Sequence, residues 1–187
     1  IFSLSASDKF FLSRYTNDKN ATVGIYSVAC VFASVINIFC TALLHYFSPK
    51  LYTTLSGDII NYASIKKHLY FYTAIMIAGT IAVMALTPVM YTFINPRYHP
   101  ALHYIYFLGL GYFMWAITYY FYSFLLFYKQ KRKIVILSVC SIVISIGCNY
   151  FFIPRWAAQG AAISVCTSYF IVLALTLIIT YKHIKLI

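Results

Sequence analysis

The sequence predicts an all-α integral membrane protein, and three observations carry that prediction. Of 187 residues, 63% are hydrophobic and only 9% are charged, against about 25% charged in a water-soluble domain. Between flanking charges lie 30 uncharged residues from Lys19 to Lys50, 29 from Lys67 to Arg97, 31 from Arg97 to Lys129, 21 from Lys133 to Arg155 and 26 from Arg155 to Lys182. Each interval exceeds the roughly 18 to 20 residues that a spanning helix needs. Runs such as Ile134-Val-Ile-Leu-Ser-Val-Cys do not alternate in polarity, which excludes a membrane barrel and leaves helices that satisfy their own backbone.

The elements follow in chain order. Residues 1–15 open on Ile1, Phe2 and Leu4 with no basic leader region or small-residue cleavage site, and read as the end of a preceding helix. The chain is accordingly expected to be the C-terminal portion of a larger bundle, a single helical domain over 1–187. Five complete spans are expected at about 23–46, 69–94, 101–128, 134–153 and 157–181. The connection 47–68 carries Pro49, Lys50, Asp58, Lys66 and Lys67, with enough apolar residues to lie along the interface as a short amphipathic helix. Pro88, after Thr87, falls inside the second span and should kink it. Pro96 and Pro100 bracket the tight connection to the third, Pro100 in a first helical turn, and Pro154 closes the fourth.

Basic residues set the expected orientation. Lys50, Lys66, Lys67, Lys129, Lys131, Arg132, Lys133, Lys182 and Lys185 fall on one side, whereas Lys9, Arg14, Lys19, Arg97 and Arg155 fall on the other. The richer side should be cytoplasmic, and the C-terminus with it. A net charge of +11 does not imply a nucleic-acid partner, because the basic residues lie in short runs between apolar stretches and form no face interleaved with stacking aromatics. Cys30, Cys40, Cys140, Cys148 and Cys166 all lie within apolar stretches without a C-x-x-C pair, and read as packing residues.

The inventory of chemistry-bearing side chains is thin, with no Glu, three Asp and five His. No catalytic set, metal site or cofactor is expected, and the chain does not read as an enzyme. His99 and His103 have the spacing of a metal pair but no third ligand nearby in sequence, so an interfacial position accounts for them better. The segment Ser3-Leu-Ser-Ala-Ser-Asp-Lys-Phe-Phe-Leu-Ser-Arg14 is the strongest constellation, since ionisable groups in an apolar helix are costly and face protein or water. Ser3, Ser7 and Arg14 share one stripe, and Ser5, Asp8, Lys9 and Ser13 form a wider one. Asp8, Lys9 and Arg14 are therefore candidates to line an aqueous cavity, with solvated anchors at the interface as the alternative. Asn37 and Asn149, each inside an apolar stretch, can bridge helices or hydrogen-bond a sugar, bridging being the commoner role. Trp115, Tyr119, Tyr120, Tyr122 and Tyr128 make the third span aromatic enough to stack on sugar rings, although belts and packing explain most such residues.

Several of these pieces fall in an order that resembles a known family. Asp8-Lys-Phe-Phe-Leu-Ser13 followed by Val23-Gly24-Ile25-Tyr26-Ser27, then Pro49-Lys-Leu-Tyr52, Pro96-Arg-Tyr98, the basic turn 129–133, Asn149-Tyr-Phe-Phe-Ile-Pro154 and Gly160-Ala161-Ala162 together resemble Wzx-type polysaccharide repeat-unit flippases of the multidrug/oligosaccharidyl-lipid/polysaccharide exporter superfamily. Two positions depart from that pattern. Trp156-Ala157 stands where the family often has Gly, and Lys9 replaces the usual Arg. Lysine keeps the charge but loses the guanidinium fork, so a bidentate phosphate or carboxylate contact is not carried over.

The resemblance implies a transporter of two similar bundles in the bacterial cytoplasmic membrane, alternating its cavity to move an undecaprenyl-pyrophosphate-linked oligosaccharide outward for O-antigen or capsule biosynthesis. Residues 1–15 would end the seventh helix, and the five spans would be the eighth to twelfth. Lipid-linked oligosaccharide, membrane lipids, a polysaccharide polymerase and a chain-length regulator are the implied partners. Asp8, Lys9, Arg14 and Asn37 become substrate-cavity candidates, with Gly24, Tyr26, Pro49, Pro96, Asn149, Pro154, Gly160, Ala161 and Ala162 as structural positions. A membrane polymerase or acyltransferase of the same pathway, an accessory subunit and a drug exporter of the superfamily are the competing readings.

Overall fold

The computed structural model describes residues 2–15, 19–56 and 62–184. They form α1 (Phe2–Tyr15), α2 (Lys19–Leu55), α3 (Tyr62–Phe93), a short 3-10 turn (Pro96–Tyr98), α4 (Pro100–Phe127) and α5 (Lys131–Ile184), with no strand among the described residues. Four of the helices, α2 to α5, are long and apolar enough to cross a membrane. The chain is an all-α, multi-pass membrane protein. Asp58 and Lys185, which entered the reading of the connection and the tail, lie outside the described residues, as do the side chains of Ser3 and Ser5.

The last helix is two helices folded against each other. At Ala157 the backbone leaves helical geometry, with φ 45 and ψ −126, and the chain reverses into arms 131–156 and 158–184. A hydrogen bond proves the reversal: Ser164 Oγ donates to Asn149 Oδ1 at 2.5 Å, although 15 residues of straight helix would separate the two by about 22 Å. Each arm is about 40 Å long by helical rise, enough to cross the hydrocarbon core. Pro154 does not end the first arm, which runs on through Arg155 and Trp156. Small residues close the hairpin. A Cβ at Gly160 would fall 2.8 Å from the Phe152 carbonyl carbon, and Ala161 and Ala162 beside it are fully buried.

The second difference from the sequence reading lies in α2, which continues past Tyr46 and through Pro49 to Leu55. Its buried apolar positions Tyr26, Ala29, Ala33, Ile36, Cys40, Phe47, Leu51 and Leu55 recur at spacings that keep one face toward the core. Phe47 packs edge-on against Tyr72 at 5.6 Å and Tyr52 stacks on Phe127 at 5.7 Å. That burial carries the helix across Pro49, which is exposed, against the lost backbone donor and the crowding of the preceding turn that a proline imposes. The segment 47–55 is therefore part of the span and not a separate interfacial helix.

Helix α4 is the hub, packed against α2, α3 and α5. Gly111 lets it approach α5 closely, since a Cβ there would lie 3.3 Å from the Cys166 Cα. Trp115 stacks on Tyr169 of α5 at 4.9 Å, and Tyr72 of α3 donates its hydroxyl to the Ala116 carbonyl at 3.0 Å. The aromatic residues of this span are thus mainly internal packing. α4 ends without glycine in a closed cap: Lys129 adopts φ 54, its N–H meets the Leu126 carbonyl at 3.0 Å, and the Gln130 N–H meets the Leu125 carbonyl at 3.0 Å. Those paired bonds satisfy the last carbonyls of the helix and turn the chain directly into α5.

Opposite substitutions at the hairpin should have opposite effects. Ala157→Gly removes the side chain from a backbone region that only glycine occupies freely, and should stabilise the bundle by about 1 kcal/mol. Gly160→Ala forces a methyl against the Phe152 backbone and should destabilise by about 1–3 kcal/mol. Thermal unfolding of the purified chain in detergent measures both, and a gain for Gly160→Ala would contradict the closeness of the two arms.

Candidate functional site

A buried carboxylate sits where α1, α2 and the two arms of α5 meet. Asp8 is 3% exposed, its partners Tyr26 and Asn149 are fully enclosed, and so is Ser164, which holds Asn149. Asn149 Nδ2 donates to Asp8 Oδ1 at 2.6 Å, Tyr26 Oη donates to Oδ2 at 3.3 Å, and Ser7 Oγ reaches Oδ1 at 3.5 Å. Asn149 Nδ2 also lies 3.3 Å from Ser7 Oγ. Its carbonyl is held by Ser164, so the amide orientation follows from both ends of the side chain.

Neutral groups provide these contacts. A carboxylate moved from water into an apolar interior needs compensation for lost hydration, and the 2.6 Å bond from Asn149 is the shortest that Asp8 receives. The geometry makes the cluster a joint between elements. α1 is tied to α2 through Tyr26 and to both arms of α5 through Asn149 and Ser164, so a change at the carboxylate is felt by three neighbours at once.

Beside the cluster lies a small cavity lined by Asp8, Tyr26, Cys30, Tyr112, Ser145 and Ser168, with Tyr169 and two aliphatic side chains closing it. It offers about 10 Å³ to the centre of a solvent molecule, roughly the room one water requires. Ser168 Oγ is buried and has no hydrogen-bond partner among the described residues.

The remaining candidates are distributed along the bundle. Lys9 is half-buried one position along α1, and Arg14 is exposed near its end. Asn37 lies half-buried in α2, with its side-chain Oδ1 enclosed and unpartnered among the described residues and its backbone carbonyl accepting from Thr41 Oγ1 at 2.9 Å. Gly24 has open space where a side chain would project. Pro96 begins the 3-10 turn that the Asn95 side chain caps through the Arg97 N–H at 3.0 Å. His99 Nε2 lies 3.3 Å from the Ile94 carbonyl oxygen and His103 is exposed. Among the described residues no group of three or more His, Cys, Asp or Glu gathers around a metal position.

Asp8, Tyr26 and Asn149 thus meet in one cluster, whereas Lys9, Arg14 and Asn37 do not join it. Ser164, Ser145 and Ser168 were not singled out from sequence. A signal for them existed in the hairpin: positions equidistant from a turn between 156 and 157 face each other, and this pairs Asn149 with Ser164 and Ser145 with Ser168. No protein-family model, curated protein or solved structure matches the chain.

Loss of the Asn149 amide leaves the carboxylate without its shortest donor. Asn149→Ala should therefore lower stability by about 3 kcal/mol, the cost of an uncompensated buried charge. Asp8→Asn introduced with it should recover a large part of that loss, because a neutral amide does not need the donor so strongly. Unfolding measurements on the two single variants and the double variant form the cycle, and an equal loss with or without Asp8→Asn would contradict the pairing.

Proposed function

We propose that the chain is a membrane transporter bundle that carries undecaprenyl-pyrophosphate-linked oligosaccharide repeat units across the bacterial cytoplasmic membrane by alternating access. The observation that carries this reading is the buried polar crossing of α1, α2 and α5 around Asp8. A helix that only spanned the bilayer would be filled more favourably with apolar side chains, and an intramembrane ionisable residue is retained where function requires it. The order of sequence motifs over nearly the whole chain supports the polysaccharide class of cargo within that reading.

A sugar head group loses many hydrogen bonds in hydrocarbon, so its passage must be polar and partly cationic while the lipid tail remains in the bilayer. In this proposal Lys9 and Arg14 supply positive charge along α1, and Asn37 supplies a hydrogen-bonding side chain on α2. The Asp8 joint transmits motion between α1 and the α5 hairpin and does not itself contact cargo. The richer basic side, including Lys129-Gln-Lys-Arg-Lys, faces the cytoplasm. The protein works without a cofactor and without chemical conversion of its cargo, in a membrane shared with a polysaccharide polymerase and a chain-length regulator.

Deletion of the complete gene followed by leaflet-selective labelling of lipid-linked oligosaccharide tests the reading. Single repeat units should accumulate on the cytoplasmic leaflet, with surface polysaccharide lost. Complementation with Lys9→Ala or Arg14→Ala should restore insertion but only part of the export. Units that reach the outer leaflet and fail to polymerise would identify a polymerase instead, and an undisturbed lipid-linked pool would move the protein to drug export or an accessory role.

A further inference from the structure

A second feature, apart from the Asp8 cluster, lies at the end of the first arm of α5. Between Tyr15, the last residue of α1, and Tyr150, Phe151, Pro154 and Arg155 of the arm is an open cleft of about 320 Å³, within the range of clefts that take small ligands, about 300–1,000 Å³. Its walls are mostly aromatic, with one cation among them. The Arg155 guanidinium stacks on the Phe151 ring, 3.9 Å from the ring centroid. Stacking occupies the face of the guanidinium and leaves its edge of N–H donors available to an anion. Among the described residues no carboxylate is placed to pair with it: the one there is, Asp8, is enclosed and held by Tyr26 and Asn149. Asp18 lies outside the described residues.

The position of the cleft along the bundle narrows its occupant. The first arm starts at the basic turn and is about 40 Å long by helical rise, so its far end lies at the level of the lipid headgroups on the opposite face of the membrane. Trp156, next to Arg155 and 51% exposed, is the kind of amphipathic ring expected at that level. Leading away from the cleft, Val139, Val143, Ile146 and Tyr150 are all exposed, and their spacing of four, three and four residues places them on one apolar strip of the arm. A ligand that suits both parts has an anionic head and an apolar tail.

We propose that the cleft binds the phosphodiester headgroup of an anionic phospholipid, with Arg155 on the phosphate and an acyl chain along the strip from Tyr150 to Val139. A guanidinium donates two parallel N–H bonds to two phosphate oxygens. Tyr15 and Tyr150, which line the same cleft, carry hydroxyls able to donate to the rest of the headgroup. One cation matches the single negative charge of a phosphodiester. A free phosphate or a pyrophosphate carries more charge and would set its hydration shell against aromatic walls, and a zwitterionic headgroup brings an ammonium that Arg155 repels. The lipid would join the end of α1 to the first arm from the bilayer side. The inference needs only that the chain lies in a membrane, so it stands apart from the flippase reading.

Native mass spectrometry of the full chain, released from detergent after incubation with equal amounts of phosphatidylglycerol and phosphatidylcholine, tests the site. One phosphatidylglycerol should be retained several-fold more often than phosphatidylcholine. Arg155→Gln should remove that preference, whereas Arg97→Gln, an exposed arginine of the 3-10 turn outside the cleft, should leave it unchanged. The pair of variants separates a built site from attraction by net charge. Gel filtration establishes that each variant is folded, and if Arg155→Gln does not fold, Tyr15→Phe combined with Tyr150→Phe takes its place and should lower retention several-fold. Inorganic phosphate in excess should not displace the lipid. Equal retention of the two lipids, retention indifferent to the cleft variants, an equal loss in Arg97→Gln, or displacement by inorganic phosphate would overturn the proposal. None of these outcomes bears on the leaflet distribution of lipid-linked oligosaccharide, so failure here and failure of the flippase reading are told apart.

Discussion

A carboxylate enclosed in an apolar bundle demands donors, and the way Asp8 meets that demand organises its surroundings. Its shortest hydrogen bond comes from Asn149, 141 residues away in sequence. Asn149 can serve only because Ser164 holds the other end of its amide, and Ser164 can do so only because α5 doubles back at Ala157. The reversal in turn relies on Gly160, Ala161 and Ala162, whose small side chains let the arms approach. A backbone feature at one end of the bundle and a charge on another helix are therefore parts of a single arrangement.

Around that arrangement α4 supplies bulk. Its aromatic residues pack inward against α5 and α3, with Trp115 on Tyr169 and Tyr120 near Tyr72 at 5.0 Å. Large rings fill the interior where glycine and alanine bring helix axes together elsewhere, and the two kinds of contact share one helix. α3 is held along a narrower edge, and most of its apolar side chains, among them Tyr70, Ile77, Ile81, Leu86 and Phe93, are exposed. Lipid or a neighbouring apolar surface is the medium in which such a face is stable.

The helical class and the positions of the long apolar segments were legible because charge is so costly in hydrocarbon that its spacing marks the spans. Pro154 marks the break between the fourth and fifth spans to within three residues, whereas Pro49 does not lie in a connection. Pro49 lies inside α2 because Phe47, Leu51 and Leu55 continue a buried stripe across it, and Pro154 lies in the last turn of the first arm, three residues before the reversal at Ala157. That stripe was present in the sequence and a period-based reading of 47–55 would have extended α2. Asp8 and Asn149 stood out as polar residues within apolar stretches, but their meeting is a tertiary event. Ser145, Ser164 and Ser168 carried no local signal, since serine is common in membrane helices, and became informative only once the hairpin turn was located.

The glycine-free cap at Lys129 has a consequence for the distant end of α5. Only Tyr128, Lys129 and Gln130 separate α4 from α5, and their backbone bonds to Leu125 and Leu126 leave the linker no slack. The rotational phase of the first arm is thereby inherited from α4. One residue added to this turn would rotate the arm by about 100° about its own axis and swing the buried Ser145 and Asn149 away from the second arm together. The basic turn thus acts as an indexing pin, determining from one face of the membrane which side chains meet deep inside it.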